Sequence, residues 1–129
     1  MNSTSNHLQD QLLEQKKYKT RFISTLSDTY VFTSTEEILY FHVGLAGTYF
    51  ITKGKKKFYV NYKLKELEQI LDPSKFFRVN RSYIVHIMAI EKIIKFSNRR
   101  LKVLVTNSED ENILISREKV SKFKTWIDL

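Results

Sequence analysis

The sequence predicts a mainly β domain with one short internal helix and a C-terminal helix, on three observations. Short runs rich in β-branched and aromatic residues recur from Arg21 onward, separated by polar turns. Only two stretches after that point switch to helical spacing of their apolar residues. The chain has 129 residues, 42% of them hydrophobic, with 3 Gly, 1 Pro and no Cys, which is enough apolar material for one core and excludes a disulfide scaffold.

The elements follow in order. Residues 1–18 read as an N-terminal linker or helical arm, because His7 to Lys17 (HLQDQLLEQKK) is polar with a thin apolar stripe at Leu8, Leu12 and Leu13. Residues 19–129 form the domain. Strands are expected over Arg21 to Leu26, Tyr30 to Thr33, Ile38 to Leu45, Thr48 to Thr52 and Phe58 to Tyr62. Within LYFHVGL, Leu39, Phe41, Val43 and Leu45 fall on one face and Tyr40, His42 and Gly44 on the other, the alternation of a half-buried strand. Leu64, Leu67 and Leu71, with Ile70 beside them, place a helix over Lys63 to Leu71, and Pro73 marks its end.

Strands return at Phe76 to Val79, Ser82 to Ile87 and Glu91 to Phe96. Asn98-Arg99 reads as a hairpin turn, followed by Leu101 to Thr106 with Leu101, Val103 and Val105 inward. Asn107 to Glu111 is a turn and Asn112 to Ser116 the last strand. Arg117 to Ile127 reads as the closing helix, with Ser116 as its N-cap and Val120, Phe123 and Ile127 on its inner face.

The charge is unevenly distributed. The formal net charge is +8; residues 1–40 hold 4 basic and 5 acidic side chains, and residues 41–129 hold 18 and 9. Lys75 to Lys102 carries eight basic residues and one acid, Glu91, and a second cluster is Lys53, Lys55, Lys56 and Lys57. A polyanion is therefore a plausible partner, although lysines at strand edges and turns also serve to block edge-to-edge pairing. The absence of cysteine fits a reducing compartment and excludes thiolate metal sites. No apolar run approaches the roughly 20 residues needed to cross a bilayer and no secretory signal opens the chain, so a cytoplasmic location and no membrane partner are expected.

No enzyme motif is found. His7, His42 and His86 lack metal-ligand spacing, the acids at Glu36/Glu37 and Glu109 to Glu111 sit in turns, and no Walker loop, nucleophile elbow or dinucleotide fingerprint occurs. Gly44-Leu-Ala-Gly47 is only superficially like a KH-domain GXXG loop, since it links strands. No cofactor, metal or catalytic residue is expected. The informative stretch is FFRVNRSYIVHIMAIEKI, Phe76 to Ile93, where Arg78, Asn80, Arg81 and Ser82 interrupt two apolar strands. Arginine can grip guanine, asparagine can pair with adenine, and serine can donate to phosphate. Equally, such arginines can cap carbonyls or pair with Glu91 at a strand edge.

That stretch resembles the most characteristic segment of the LytTR family of bacterial DNA-binding domains. Glu37 to Tyr49 (EILYFHVGLAGTY), Tyr62 to Leu71 and Leu114 to Phe123 (LISREKVSKF) resemble three further family segments in the expected order, so the likeness spans Lys19 to Phe123. It implies an elongated LytTR-type fold of about ten short strands that presents loops and turns, not a recognition helix, to the major grooves of double-stranded promoter DNA. Carried over, the base contacts fall on Arg81, Arg117, Asn80 and Thr48, and the phosphate contacts on Arg78, Ser82, Tyr49, Ser116, Lys53 and Lys95. Asn80 stands where many relatives have histidine and His86 where many have asparagine. The likeness further implies a transcription regulator and allows a homodimer on adjacent half-sites, and a receiver domain with its sensor kinase in a longer natural protein. The alternative reading is a β-rich protein-interaction or RNA-binding module with a basic face.

Overall fold

In a computed structural model that describes residues 17–106 and 113–128, ten strands are arranged in three antiparallel sheets. Strands β1 (Arg21–Leu26) and β2 (Thr29–Ser34) form a two-stranded hairpin. The central sheet has the order β5 (Lys57–Tyr59), β4 (Gly47–Thr52), β3 (Ile38–Gly44), β7 (Tyr83–His86), β6 (Phe76–Arg78). The third sheet joins β10 (Ile113–Leu114), β9 (Arg100–Val105) and β8 (Ile90–Phe96). Helices α1 (Leu64–Ile70) and α2 (Val120–Trp126) complete the fold, so the mainly β architecture with an internal and a C-terminal helix is as the sequence predicts.

The central sheet is buried on both faces, which is why its strands alternate between two cores. On one face Phe41, Phe50, Phe76 and Ile84 meet Phe22 of β1, Phe58 of β5, and Leu64 and Leu67 of α1, with Leu71 just beyond the helix. Neighbouring rings in this cluster lie 5.4 to 5.9 Å apart in tilted or edge-on arrangements, the geometry aromatic quadrupoles favour. On the other face Tyr40 and Val85 pack with Leu101, Val103 and Val105 of β9, Ile113, Ile115 and Phe123 of α2. The helical stripe of α1 and the inward set of β9 are thus core, as their spacing indicates.

Strand β3 departs from the simple half-buried strand. Leu39 and Tyr40 both belong to the second core although they are adjacent, because the pairing with β4 slips between Ile38 and Tyr40. A bulge at that point places two successive side chains on related sides and bends the strand. Beyond it the strand runs out of the core, leaving Val43 and, in the turn, Leu45 exposed. The β3–β4 connection closes at the pair Gly44 and Gly47, and Gly47 has φ 129°, a conformation that needs glycine.

The last helix is shorter than its sequence pattern. Arg117–Lys119 forms a 3-10 turn before α2 begins, and the Ser116 hydroxyl makes no capping hydrogen bond. The expected Ser116 N-cap is corrected accordingly. Helix α2 is fixed instead by Phe123, which is fully buried, and by the Trp126 indole, whose Nε1 donates to the Pro73 carbonyl at 2.8 Å. The arm over residues 1–18 falls almost wholly outside the described residues, as does the turn over Asn107 to Glu111.

His86 has a structural place. It is buried, its Nδ1 accepts from the Met88 amide at 3.0 Å at the start of a 3-10 turn, and its Nε2 lies 3.9 Å from a Glu36 carboxylate oxygen. Burial pushes its pKa below the ordinary 6.5, with the nearby Glu36 partly opposing. The neutral ring is therefore favoured in the folded state, and stability is complete above pH 6.5 and declines as pH falls through that value toward the folded pKa. Denaturant unfolding of His86→Asn, which retains a capping acceptor, should show a flatter dependence between pH 7 and 5 than the unsubstituted protein.

Candidate nucleic-acid interface

Three remote segments meet where the central and third sheets adjoin. They are the end of β3 with the turn into β4, the corner Arg78 to Ser82 between β6 and β7, and the passage Leu114 to Lys119 from β10 toward α2. The corner is joined to β3 by the Ser82 carbonyl, which accepts from the Val43 amide at 3.0 Å and lies 3.0 Å from His42 Nδ1. The His42 ring also stacks on Tyr83 at 4.0 Å and meets the edge of Tyr49. The corner is joined to the passage by three bonds: Asn80 Nδ2 to the Leu114 carbonyl at 2.7 Å, the Ser116 amide to the Val79 carbonyl at 2.9 Å, and Lys119 Nζ to the Arg78 carbonyl at 3.0 Å. Burial lowers the Lys119 pKa, the Glu68 carboxylate partly opposing; that ammonium is an internal strut.

The corner itself is built by Asn80 and Arg78. The Asn80 Oδ1 accepts from the amides of Ser82 at 2.8 Å and Tyr83 at 3.0 Å, so both ends of its carboxamide are engaged. Arg78 donates from Nε to the Asn80 carbonyl and from Nη2 to the Arg81 carbonyl, while Nη1 pairs with Glu68 at 3.2 Å. Asn and Arg at strand corners are as suited to satisfying backbone groups as to meeting DNA, and here they do the former. These bonds give Asn80 and Arg78 a structural place in the corner, beside the DNA contacts expected of them. The partner of Arg78 is Glu68 of α1, not Glu91.

The other expected contacts separate cleanly. Arg81 is exposed and its guanidinium makes no hydrogen bond or ion pair among the described residues; the same holds for Arg117. Arg81, Ser82 and Ser116 line one shallow depression with His42, Asn80 and Tyr83. Arg117 and Lys95 line a second, between the β8–β9 turn and α2. Tyr49 is half-buried and packs against Tyr59, with Lys57 Nζ 4.2 Å above its ring.

Thr48 and Lys53 are not brought to this surface. Thr48 is buried in β4. Lys53 stands at the far end of β4, about 20 Å from the Gly47 turn at the usual strand rise, and pairs with Glu37 at 3.6 Å. Residues that sequence reasoning missed as part of this region are Lys57, Arg99 and Lys124; the Asn98-Arg99 turn was the available signal for one of them. Among the described residues no group of three or more His, Asp or Glu could hold a metal, and no helix is long and apolar enough to cross a membrane.

With this geometry in view, the comparison with known proteins is decisive about kinship. A family model, that of the LytTr DNA-binding domain, matches residues 28–128. The chain belongs to the LytTR family. Its fold is also that of a solved LytTr DNA-binding domain from a Bacillus cereus protein described as a methyl-accepting/DNA response regulator, with a TM-score of 0.75 at 21% identity over 86% of this chain and 99% of that one. No curated protein matches the sequence. Residues 28–128 thus form a LytTr DNA-binding domain.

The hydrogen bonds of Asn80 join two sheets, so their loss should be felt in stability. Asn80→Ala leaves the Leu114 carbonyl and the Ser82 and Tyr83 amides without their partner, at about 1 to 3 kcal/mol for each group that stays buried. Chemical denaturation should give a loss of about 2 kcal/mol or more, with Asn80→Asp intermediate because Oδ1 acceptance is retained and the Leu114 donor is lost.

Proposed function

We propose that this domain binds double-stranded promoter DNA sequence-specifically as the effector part of a transcription regulator, reading successive major grooves with turns and loops. The observation that carries the reading is the pair Arg81 and Arg117. They lie on segments tied by the Asn80 and Val79 hydrogen bonds, and both are unpaired among the described residues, whereas neighbouring Arg78 makes three hydrogen bonds. A guanidinium held on a rigid corner presents two parallel donors to guanine O6 and N7 with little entropy left to lose.

In this reading Arg81 and Arg117 meet bases. The Ser82 and Ser116 hydroxyls, which make no hydrogen bond among the described residues, meet the backbone together with Lys95 and the rim of Tyr49. Arg78 and Asn80 act as positioning residues, and Thr48 and Lys53 have no part. A cytoplasmic location, a second copy on an adjacent half-site, and a receiver domain under a sensor kinase are the natural accompaniments of a regulator of this type. A protein contact has its own support in the β1–β2 hairpin, where Ile23 and Phe32 are cross-strand partners and both, with Tyr30 and Leu26, are exposed. That surface adds a partner to DNA binding and does not replace it.

The test begins with duplexes selected from a random library, measured by fluorescence anisotropy. If roughly six phosphates are neutralised, log K should fall with log salt at a slope of about −5. Arg81→Ala and Arg117→Ala should each cost about 1 to 3 kcal/mol on the selected site and narrow the gap to a scrambled one. Selected duplex should outcompete single strands and RNA of the same length. Equal competition, or full affinity in both variants, would count against the reading.

A further inference from the structure

The second depression, between the β8–β9 turn and α2, has a composition that the base-reading site does not explain. It is lined by Lys95, Asn98, Arg99, Arg100, Arg117 and Lys124, with Ser121 between the last two, and no carboxylate faces it among the described residues. Some cations elsewhere on the described surface are matched, Lys53 with Glu37, Lys75 with Glu36 and Arg78 with Glu68. Crowding like charges into one trough is unfavourable for folding on its own account. Arg100 is partly accounted for, since Nη2 donates to the Ile115 carbonyl at 3.2 Å. Lys95, Arg99, Arg117 and Lys124 make no such contact among the described residues.

The turn adds a second, independent observation. Asn98 has φ 62° and Arg99 φ 58°, so both central residues are left-handed, and the Arg100 amide closes the turn on the Ser97 carbonyl. This geometry favours Asn followed by Gly. Arginine in the second position carries the steric penalty of a Cβ in left-handed backbone, a cost that glycine would not have. A charged side chain at a position where it weakens the turn points to a role outside folding.

We propose that this trough seats the phosphodiester backbone of the duplex on the flank of the base contacted by Arg117, with Arg99, Lys95 and Lys124 as its phosphate ligands and the Ser121 hydroxyl as a further donor. The inference rests on the duplex-binding reading above and extends it to a fourth contact segment, the β8–β9 turn. The trough holds Arg117 and shares Arg100 with the depression lined by Arg81, which suits a polymer that spans both. Backbone contacts of this kind position a protein without reading sequence.

The experiment compares the full chain with Arg99→Gly and Lys124→Gln on the selected duplex and on a scrambled one over a series of salt concentrations. Each variant should weaken both duplexes by the same factor, about three- to tenfold, and lessen the salt slope by about one. Arg99→Gly should at the same time unfold at a higher temperature, because glycine relieves the turn, so weaker binding cannot be ascribed to loss of fold. Variants that keep the full affinity and slope, while the unsubstituted chain binds duplex, would overturn the trough and leave the Arg81 and Arg117 reading intact. A loss confined to the selected duplex would assign these residues to base reading and also overturn it. An unsubstituted chain that fails to bind duplex would remove both readings together. Inorganic phosphate at low millimolar concentration and constant ionic strength should leave the Arg99 and Ser121 amide resonances unmoved; saturable shifts would assign the trough to a small anion.

Discussion

The carboxamide of Asn80 is the constraint on which the rest of the surface depends. Its Oδ1 shapes the corner by accepting from Ser82 and Tyr83, and its Nδ2 reaches the Leu114 carbonyl across the boundary between the central and third sheets. Val79, fully buried beside it, accepts from the Ser116 amide. These bonds run between segments more than thirty residues apart, and they fix the distance between two loops that would otherwise be independent. A loop-borne DNA contact can be specific only if its scaffold holds it still, and this seam supplies that rigidity at a point where neither sheet could do so alone.

Charge on the domain is divided by task. Arg78 and Lys119 spend their donors on carbonyls and, for Arg78, on Glu68. They stiffen the corner although their like charges repel, Arg78 being among the causes that lower the Lys119 pKa after burial. Arg81 and Arg117 are left with water. The positive balance of the sequence therefore overstates the number of cations available to a ligand, and the distribution of partners, not the net charge, is what the proposed binding face rests on. The central sheet is packed on both faces, so this polarity is confined to the corners and loops at its end.

Much of the fold was legible in the sequence. Period-2 alternation located nearly every strand, and the Leu64, Leu67 and Leu71 spacing located α1, because burial against a sheet or helix imposes those periods directly. The bulge in β3 was not legible: nothing in ILYFHVG distinguishes a residue inserted between Ile38 and Tyr40 from regular pairing, since the slip is set by partners in β4. The site was legible in part for a different reason. The side-chain types that read DNA are those that cap backbone groups, so sequence alone could not separate Asn80 and Arg78 from Arg81. The burial of Thr48 was not legible, because a β-branched residue beside a turn fits a buried edge as well as an exposed one. Lys124 escaped notice because a lysine in the last turn of a helix has an ordinary electrostatic explanation.

The central claim is that one side of this molecule, assembled from remote segments and bolted at Asn80, meets the duplex. Amide-resolved NMR titration with a selected duplex tests it most directly. The account predicts that the largest shifts cluster at the β3–β4 turn, at Asn80 to Ser82, at Asn98 to Arg100 and at Ser116 to Arg117, with Lys53 and the β1–β2 hairpin unchanged. Shifts concentrated on that hairpin or at Lys53, with the Asn80 corner silent, would contradict it.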